Sequence, residues 1–169
     1  MSKNTKVITK VPGRIIGTCG EHYVAAYLSR LGLVVAIPRG GTSRFDLLVS
    51  KEDGGRAIHV QVKTGTSPNG GTKATGPIYL WRTSDSVLKW NDRNLWYAFV
   101  NLQDWPNGPG IPEVFFVPSK VVVRCIGDCI KEKDPTWFWM YKDNARNYNG
   151  AEKYKGAAGL QPLLNAMNA

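Results

Sequence analysis

Two neighbouring stretches of alternating character constrain this chain more than any other part of its sequence. Residues 45–49 (Phe-Asp-Leu-Leu-Val) and 57–63 (Ala-Ile-His-Val-Gln-Val-Lys) are rich in branched or aromatic side chains, which predicts two β-strands. The residues between them are polar and include Gly54 and Gly55, which favours a turn and an antiparallel hairpin. A hairpin fixes which side chains share a face, so it also fixes which of them can act together.

Alternation along this hairpin predicts one apolar face and one polar face, because successive side chains of a strand point to opposite sides. The apolar set, which we expect in the core, comprises Phe45, Leu47, Val49, Ile58, Val60 and Val62. The polar set comprises Arg44, Asp46, His59, Gln61 and Lys63. We therefore expect a carboxylate, an amide and an ammonium group to gather on one side of the hairpin.

Length and composition favour one globular domain. The chain has 169 residues, of which 43% are hydrophobic, enough to bury a core. We expect residues 1–14 to form a basic flexible arm and residues 15–169 a single domain, with a core over 15–118 and a C-terminal extension over 119–169. No apolar run approaches the roughly 20 residues that span a bilayer, and the N-terminus lacks the apolar block of a signal peptide. These features predict a cytoplasmic protein.

The charge of the chain favours a partner that carries phosphate. Its net charge is +9 and its pI is about 9.6, which is typical of nucleic-acid-binding proteins and also of some soluble proteins with a basic surface. Most aromatic side chains lie within apolar strand patterns and belong to the core. Trp81 and Trp90 each lie near a basic residue, so they are the candidates for contact with bases.

A predicted helix over residues 17–31 contains an acidic residue with two interpretations. Val24, Leu28 and Leu31 form its apolar stripe, and Gly32 is suited to end it. Glu21 follows Thr18 by three positions, a spacing that matches a capping box. It also leans toward the packed face, where an acid would lie at the edge of the core.

The remaining segments predict a mixture of strands and helices. Residues 33–37 form a continuous apolar run and predict a buried central strand, and residues 64–77 predict a long loop that is a plausible substrate flap. Further strands are predicted over 78–82, 95–100 and 114–117, and helices over 85–90 and 119–133. Residues 137–141 predict a strand or an aromatic clamp, and residues 160–167 a helix that docks on the domain or meets a partner subunit.

The order of these elements resembles the PD-(D/E)xK nuclease superfamily, which includes many restriction enzymes and Holliday-junction resolvases. The resemblance lies in a helix bearing Glu21, a strand bearing Asp46, and a strand ending in Gln61-Val62-Lys63, and it covers roughly residues 14–118. Phe45 replaces the proline of that pattern, and Gln61 replaces its second acidic residue. The resemblance implies an α/β (α+β) fold with a restriction-endonuclease-like αβββαβ core, in which helices flank a mixed central sheet, followed by a helical and aromatic C-terminal extension.

The same resemblance implies a Mg²⁺- or Mn²⁺-dependent DNA endonuclease whose catalytic residues are Glu21, Asp46, Gln61 and Lys63. Asp46, the Gln61 side-chain oxygen and the Val62 carbonyl would bind the metal, and Glu21 would bind it through water or hold a second ion. The basic residues expected to contact DNA, or RNA in its place, are Arg39, Arg44, His59, Lys73 and Arg82. Cutting both strands of a duplex calls for two active sites, which favours a homodimer.

Other interpretations of the same residues stay open at the level of sequence. Asp46 could cap a turn and pair with Arg44 or Lys63 in a structural salt-bridge cluster. Because Gln61 is neutral, the chain could also be a nucleic-acid-binding protein that kept the nuclease fold without cleaving. A third alternative is a subunit that dimerises through its C-terminal helix and supplies structure to a larger complex.

Overall fold

The structure, a computed structural model, describes residues 11–39, 44–73, 76–131, 137–142 and 150–168, without the side chains of residue 85 and residues 129–131. Within these ranges the first element is helix α1 (Gly13–Arg30), which buries Gly20, Val24 and Leu28 along one face. Gly32 follows it with a φ of 84°, a left-handed conformation that favours glycine.

Helix α1 begins four residues before the predicted start at Gly17, directly after Pro12. The capping-box prediction is therefore wrong, because Thr18 and Glu21 both lie inside the helix. The Thr18 hydroxyl donates a hydrogen bond to the carbonyl of Arg14 at 3.2 Å and caps nothing. Glu21 therefore does not form a capping box with Thr18.

A five-stranded mixed sheet forms the centre of the fold, with strand order β1-β2-β3-β6-β7. Its strands are β1 (Leu33–Ala36), β2 (Leu47–Lys51), β3 (Gly54–Gly65), β6 (Leu95–Asn101) and β7 (Glu113–Pro118). Strands β3 and β6 pair in parallel, and the other neighbours are antiparallel. The predicted hairpin and the predicted mixed sheet flanked by helices are confirmed. The prediction that β1 is a central strand is wrong, because it lies at the sheet edge and half of Val34 is exposed.

A second sheet of three strands follows β3 in the chain. It consists of β4 (Asn69–Thr72), β5 (Gly76–Arg82) and β8 (Trp137–Tyr141), in the order β4-β5-β8. The segment predicted as a long loop is thus largely a β-hairpin. The crossover between parallel strands β3 and β6 runs through β4, β5 and a 3₁₀ helix (Asp85–Lys89), where the αβββαβ pattern has an α-helix.

Helices cover both faces of the large sheet, and the sheet separates two apolar clusters. On one face, α1 and α3 (Gly156–Met167) pack against apolar side chains of β2, β3 and β6. On the other face, α2 (Ser119–Lys131) and the small sheet enclose a cluster rich in aromatic side chains. The C-terminal helix docks on its own domain through Leu160, Leu163 and Met167. Within the described ranges, no helix is long and apolar enough to cross a membrane.

Candidate active site

Asp46 is held at the point where strand β2 begins. Its backbone N–H donates to the carbonyl of Val60 at 2.9 Å, which continues the β2–β3 ladder by one residue. Its carboxylate oxygen Oδ2 accepts a hydrogen bond from the backbone N–H of Val62 at 2.7 Å and another from the Gln61 side chain. The structure therefore brings Asp46 and Gln61 together on one side of the hairpin.

The Val62 carbonyl points toward the same edge as the Asp46 carboxylate. In an extended strand the N–H and C=O of one residue point to the same neighbour, and the Val62 N–H is directed at Asp46. Strand β2 begins at Leu47, which pairs with Val60, so β3 extends beyond the start of its neighbour at this point. The Asp46 carboxylate, the Gln61 amide and the Val62 backbone thus lie together where β2 begins and β3 continues.

Close packing of α1 on β3 brings Glu21 toward this group. A Cβ atom at Gly20 would lie 1.8 Å from the Oγ1 atom of Thr64, so only glycine permits the observed approach. Burial raises the pKa of Glu21, and the negative charge of Asp46 raises it further, while His22 and Lys63 act in the opposite direction. The Glu21 carboxylate is therefore within electrostatic range of both Asp46 and Lys63.

The carboxyl group of Asp46 is perturbed in the same direction. Burial raises its pKa, and the Val62 N–H and the charge of Lys63 oppose that effect. Within the described residues, neither Asp46 nor Lys63 forms an ion pair within 4 Å. Arg44 instead pairs with Asp92. The structural salt-bridge cluster that the sequence left open is therefore not observed in the described part of the chain.

Phe45 lies on the opposite side from the one that alternation predicted. It stacks on His59 with ring centroids 4.3 Å apart and packs against the aromatic cluster, whereas Leu47 and Val49 belong to the other cluster. The prediction that Phe45 shares their face is wrong, because β2 begins only at Leu47 and alternation does not extend to the residues before it.

The basic residues predicted to contact nucleic acid fall into two groups. Arg39, Lys73 and Arg82 are exposed, while Arg44 and His59 are half-buried and engaged with Asp92 and Phe45, as described above. Their contact with nucleic acid stays a prediction. The suggestion that Trp81 stacks on bases is wrong, because this side chain is buried and its indole N–H donates to a β6 carbonyl at 3.0 Å.

The donors at this site are oxygen atoms, which suit a hard cation such as Mg²⁺. They are the carboxylates of Asp46 and Glu21, the amide oxygen of Gln61 and the carbonyl of Val62. In the described part of the chain, no three His, Cys, Asp or Glu side chains lie close enough to share a metal. A cation here would therefore depend on the amide and backbone oxygens as well as on carboxylates.

Sequence reasoning missed two residues that shape this site, Gly20 and Tyr97. A glycine inside a helical pattern lowers helix propensity and often marks close packing, so Gly20 carried a usable signal. Tyr97, which pairs with Gln61 in the parallel register of β3 and β6, carried none, because residues 95–100 are hydrophobic throughout and its tyrosine cannot be distinguished from the core residues around it.

The fold is a mixed α+β fold with a five-stranded sheet flanked by helices. Among solved structures, the bacterial homing endonuclease I-Ssp6803I resembles this chain over 94% of its length and 96% of the endonuclease, with a TM-score of 0.59 and 13% sequence identity. A similarity at this level of identity establishes a common fold. No protein-family model and no curated protein sequence matches the chain.

Proposed function

We propose that this protein is a metal-dependent DNA endonuclease that hydrolyses phosphodiester bonds. The proposal rests chiefly on the anchoring of Asp46, whose Oδ2 atom accepts hydrogen bonds from the Val62 N–H and the Gln61 amide. That contact holds the Asp46 carboxylate against β3 at the point where β2 begins. The fold shared with a homing endonuclease supports the same reaction class.

Four side chains and one backbone group would carry the chemistry. Asp46, the Gln61 oxygen and the Val62 carbonyl would hold Mg²⁺ or Mn²⁺, with Glu21 as a further acidic group. A cation bound here would polarise the phosphate and lower the pKa of a coordinated water. Lys63 has no ion pair in the described part of the chain. Its ammonium group is therefore available to orient water or to stabilise the charge that develops on the phosphate.

The overall charge fits the proposed substrate. A net charge of +9 attracts a polyanion, and the exposed Arg39, Lys73 and Arg82 are proposed phosphate contacts. Duplex cleavage requires an attack on each strand, so a homodimer with two such sites is the proposed active form.

Cleavage of a supercoiled plasmid in Mg²⁺ or Mn²⁺ tests the proposal. Asp46→Asn and Lys63→Met should each lower the cleavage rate by at least about 100-fold, with circular dichroism unchanged. Asp53→Asn, at the turn of the same hairpin, and Lys120→Met, at the exposed start of α2, are matched controls that should cleave at the wild-type rate. Cleavage that survives both Asp46→Asn and Lys63→Met would remove this site from consideration.

A non-cleaving nucleic-acid-binding protein is the second candidate, and the neutral side chain of Gln61 favours it. An amide attracts a divalent cation less strongly than a carboxylate does. Calorimetric titration with Mn²⁺ separates the two, because an enzyme should bind the ion in a manner that Asp46→Asn abolishes. A binding protein should instead show DNA affinity that falls with salt and is unaffected by chelation of the metal.

A further inference from the structure

Arg44 places a guanidinium group at the edge of the candidate active site. It precedes Asp46 by two residues. Burial raises the pKa of the Tyr97 hydroxyl, the charge of Arg44 lowers it, and the charge of Asp46 raises it further. Tyr97 pairs directly with Gln61 in the parallel register of β3 and β6. The guanidinium group and the Asp46 carboxylate are therefore both within electrostatic range of one hydroxyl beside the site.

Arg44 is fixed in place and still has N–H groups to donate. The ring of the next residue, Phe45, stacks on His59, and the guanidinium group pairs with Asp92. Within the described residues, Asp92 is the only hydrogen-bond partner of this group, which has five N–H donors. The side chain is 42% exposed, so a ligand that approaches from solvent can reach it.

Asp92 is itself held by contacts that do not involve Arg44. Its Oδ1 atom accepts the backbone N–H of Asn94 at 2.8 Å. Its own backbone N–H donates to the Ser119 hydroxyl at 3.1 Å, and that hydroxyl donates to the Asp92 carbonyl at 2.6 Å. Ser119 is buried at the start of α2. An exposed ion pair usually joins two mobile side chains, whereas this carboxylate is anchored independently of its arginine.

A negative charge near the proposed DNA-binding site is unfavourable unless it serves that site. The Asn94 N–H lowers the pKa of Asp92, and Arg44 lowers it further, so Asp92 is ionised at neutral pH and repels a polyanion. A planar guanidinium group can hold a carboxylate with one N–H and offer the others to a phosphate. The charge that repels DNA can thus also orient a contact to it.

We propose that Arg44 contacts the phosphate at the cation site and that Asp92 is a positioning residue that holds the guanidinium group for this contact. The assignment rests on the proposed function, because the phosphate concerned is the one that is cleaved. Asp92 acts through Arg44 and does not touch substrate. The alternative is an ion pair that only joins residue 44 to the segment before β6.

Duplex affinity in metal-free buffer, measured by filter binding over a range of salt concentrations, provides the first test. Each phosphate contact contributes about 0.9 to the slope of log affinity against log salt, so Arg44→Met should lower that slope by about one contact. Arg44→Lys should keep the slope. Arg56→Met, which replaces a half-buried arginine at the turn end of the same hairpin, is the matched control and should also keep it. An unchanged slope in Arg44→Met would overturn the proposal.

The single-turnover cleavage rate in Mg²⁺ at saturating protein provides the second test. Arg44→Met should lower it by about 100-fold. Asp92→Asn should lower it by about 10-fold or more through misplacement of the guanidinium group, without loss of DNA affinity, because it removes a repulsive charge. Asp53→Asn should change neither quantity. In the Arg44→Met background, Asp92→Asn should have no further effect, and a wild-type rate for Asp92→Asn alone would contradict the positioning role.

The two tests separate this inference from the proposed function. Circular dichroism and thermal unfolding check that each variant folds, and Arg44→Lys, which should cleave more slowly because an ammonium lacks the planar fork, replaces Arg44→Met if that variant does not fold. If cleavage depends on Asp46 while Arg44→Met keeps the wild-type rate and slope, the inference fails and the function stands. If the wild type does not cleave but Arg44→Met still lowers the slope, the proposed function fails and the phosphate contact stands.

Discussion

The contact between Gly20 and Thr64 allows a prediction that links packing to the site. Replacing Gly20 by alanine would place a Cβ atom 1.8 Å from Oγ1 of Thr64 and 2.9 Å from both its Cβ and its Cγ2. Real Cβ contacts essentially never fall below 3.0 Å, so the shortest contact must lengthen by more than 1 Å. Rotating the threonine side chain cannot relieve the clash completely, because the distance to its Cβ is also too short.

Helix α1 must therefore move away from β3 in Gly20→Ala. Overpacking of this kind costs about 1–3 kcal/mol, against which alanine gains up to about 1 kcal/mol over glycine in a helix. Gly17→Ala is the matched control, because a Cβ atom at that position of the same helix meets nothing within 4 Å. Gly17→Ala should gain only the higher helix propensity of alanine. The two variants should therefore differ in free energy of unfolding by the cost of overpacking, about 1–3 kcal/mol.

Urea denaturation of both variants measures this difference. Thr64→Ala should recover part of the loss in the Gly20→Ala background, with a coupling energy on the order of 1 kcal/mol. Because Glu21 follows Gly20 directly, the displaced helix should also lower cleavage, and a misplacement of about 1 Å can cost about 100-fold. A Gly20→Ala protein as stable as Gly17→Ala would refute the tight contact between helix and strand.

Three further predictions concern other parts of the molecule. Because burial raises the pKa of Asp46 above its ordinary value of 3.8, the folded chain retains a proton there that the unfolded chain has released, and stability falls as pH rises through that range. Metal-free Asp46→Asn should therefore exceed the wild type in urea midpoint at pH 7 and match it near pH 3, and a lower midpoint at pH 7 would contradict the effect of burial. Glu113→Ala should cost about 1–3 kcal/mol, because it removes the partner of Lys155 and leaves the buried Asn101 amide without its acceptor; thermal unfolding that is unchanged would contradict it. Trp81→Phe should lower stability by about 1 kcal/mol or more through loss of its indole hydrogen bond and leave DNA affinity unchanged in a filter-binding assay, so a large loss of affinity would reinstate a stacking role.

The parts of the fold that could be predicted are those with local signals. Alternation from Ile58 to Lys63 and the glycines at the turn specify a hairpin and its two faces without reference to the rest of the chain. The same signals placed Asp46 and Gln61 on one side, where a hydrogen bond joins them. Local patterns were sufficient here because all the partners lie within twenty residues of one another.

The features that sequence reasoning placed wrongly are those for which the side-chain pattern is the same in both alternatives or carries no signal. The apolar run of β1 is the same whether it lies at the edge or the centre of a sheet, since a strand's position is decided by which neighbours pair with it. Strand β4 (Asn69–Thr72) contains two glycines and is fully exposed. It is formed by backbone pairing with β5, so its side chains show no alternation from which a strand could be predicted. Pro12 and Thr18 are both typical of a helix start, and the sequence alone does not show which of them precedes the first turn of α1.

The location of the site follows from the unequal lengths of two paired strands. Strand β3 has twelve residues and β2 has five, so β3 continues beyond the start of β2, and the Val62 N–H donates to the Asp46 side chain instead of to a β2 carbonyl. Buried backbone groups need partners, and the Asp46 carboxylate supplies one for the N–H. A carbonyl oxygen beside a carboxylate and an amide would favour a positive group. The same stagger that brings the Asp46 carboxylate against β3 would therefore create an oxygen-lined position for the cation that we propose.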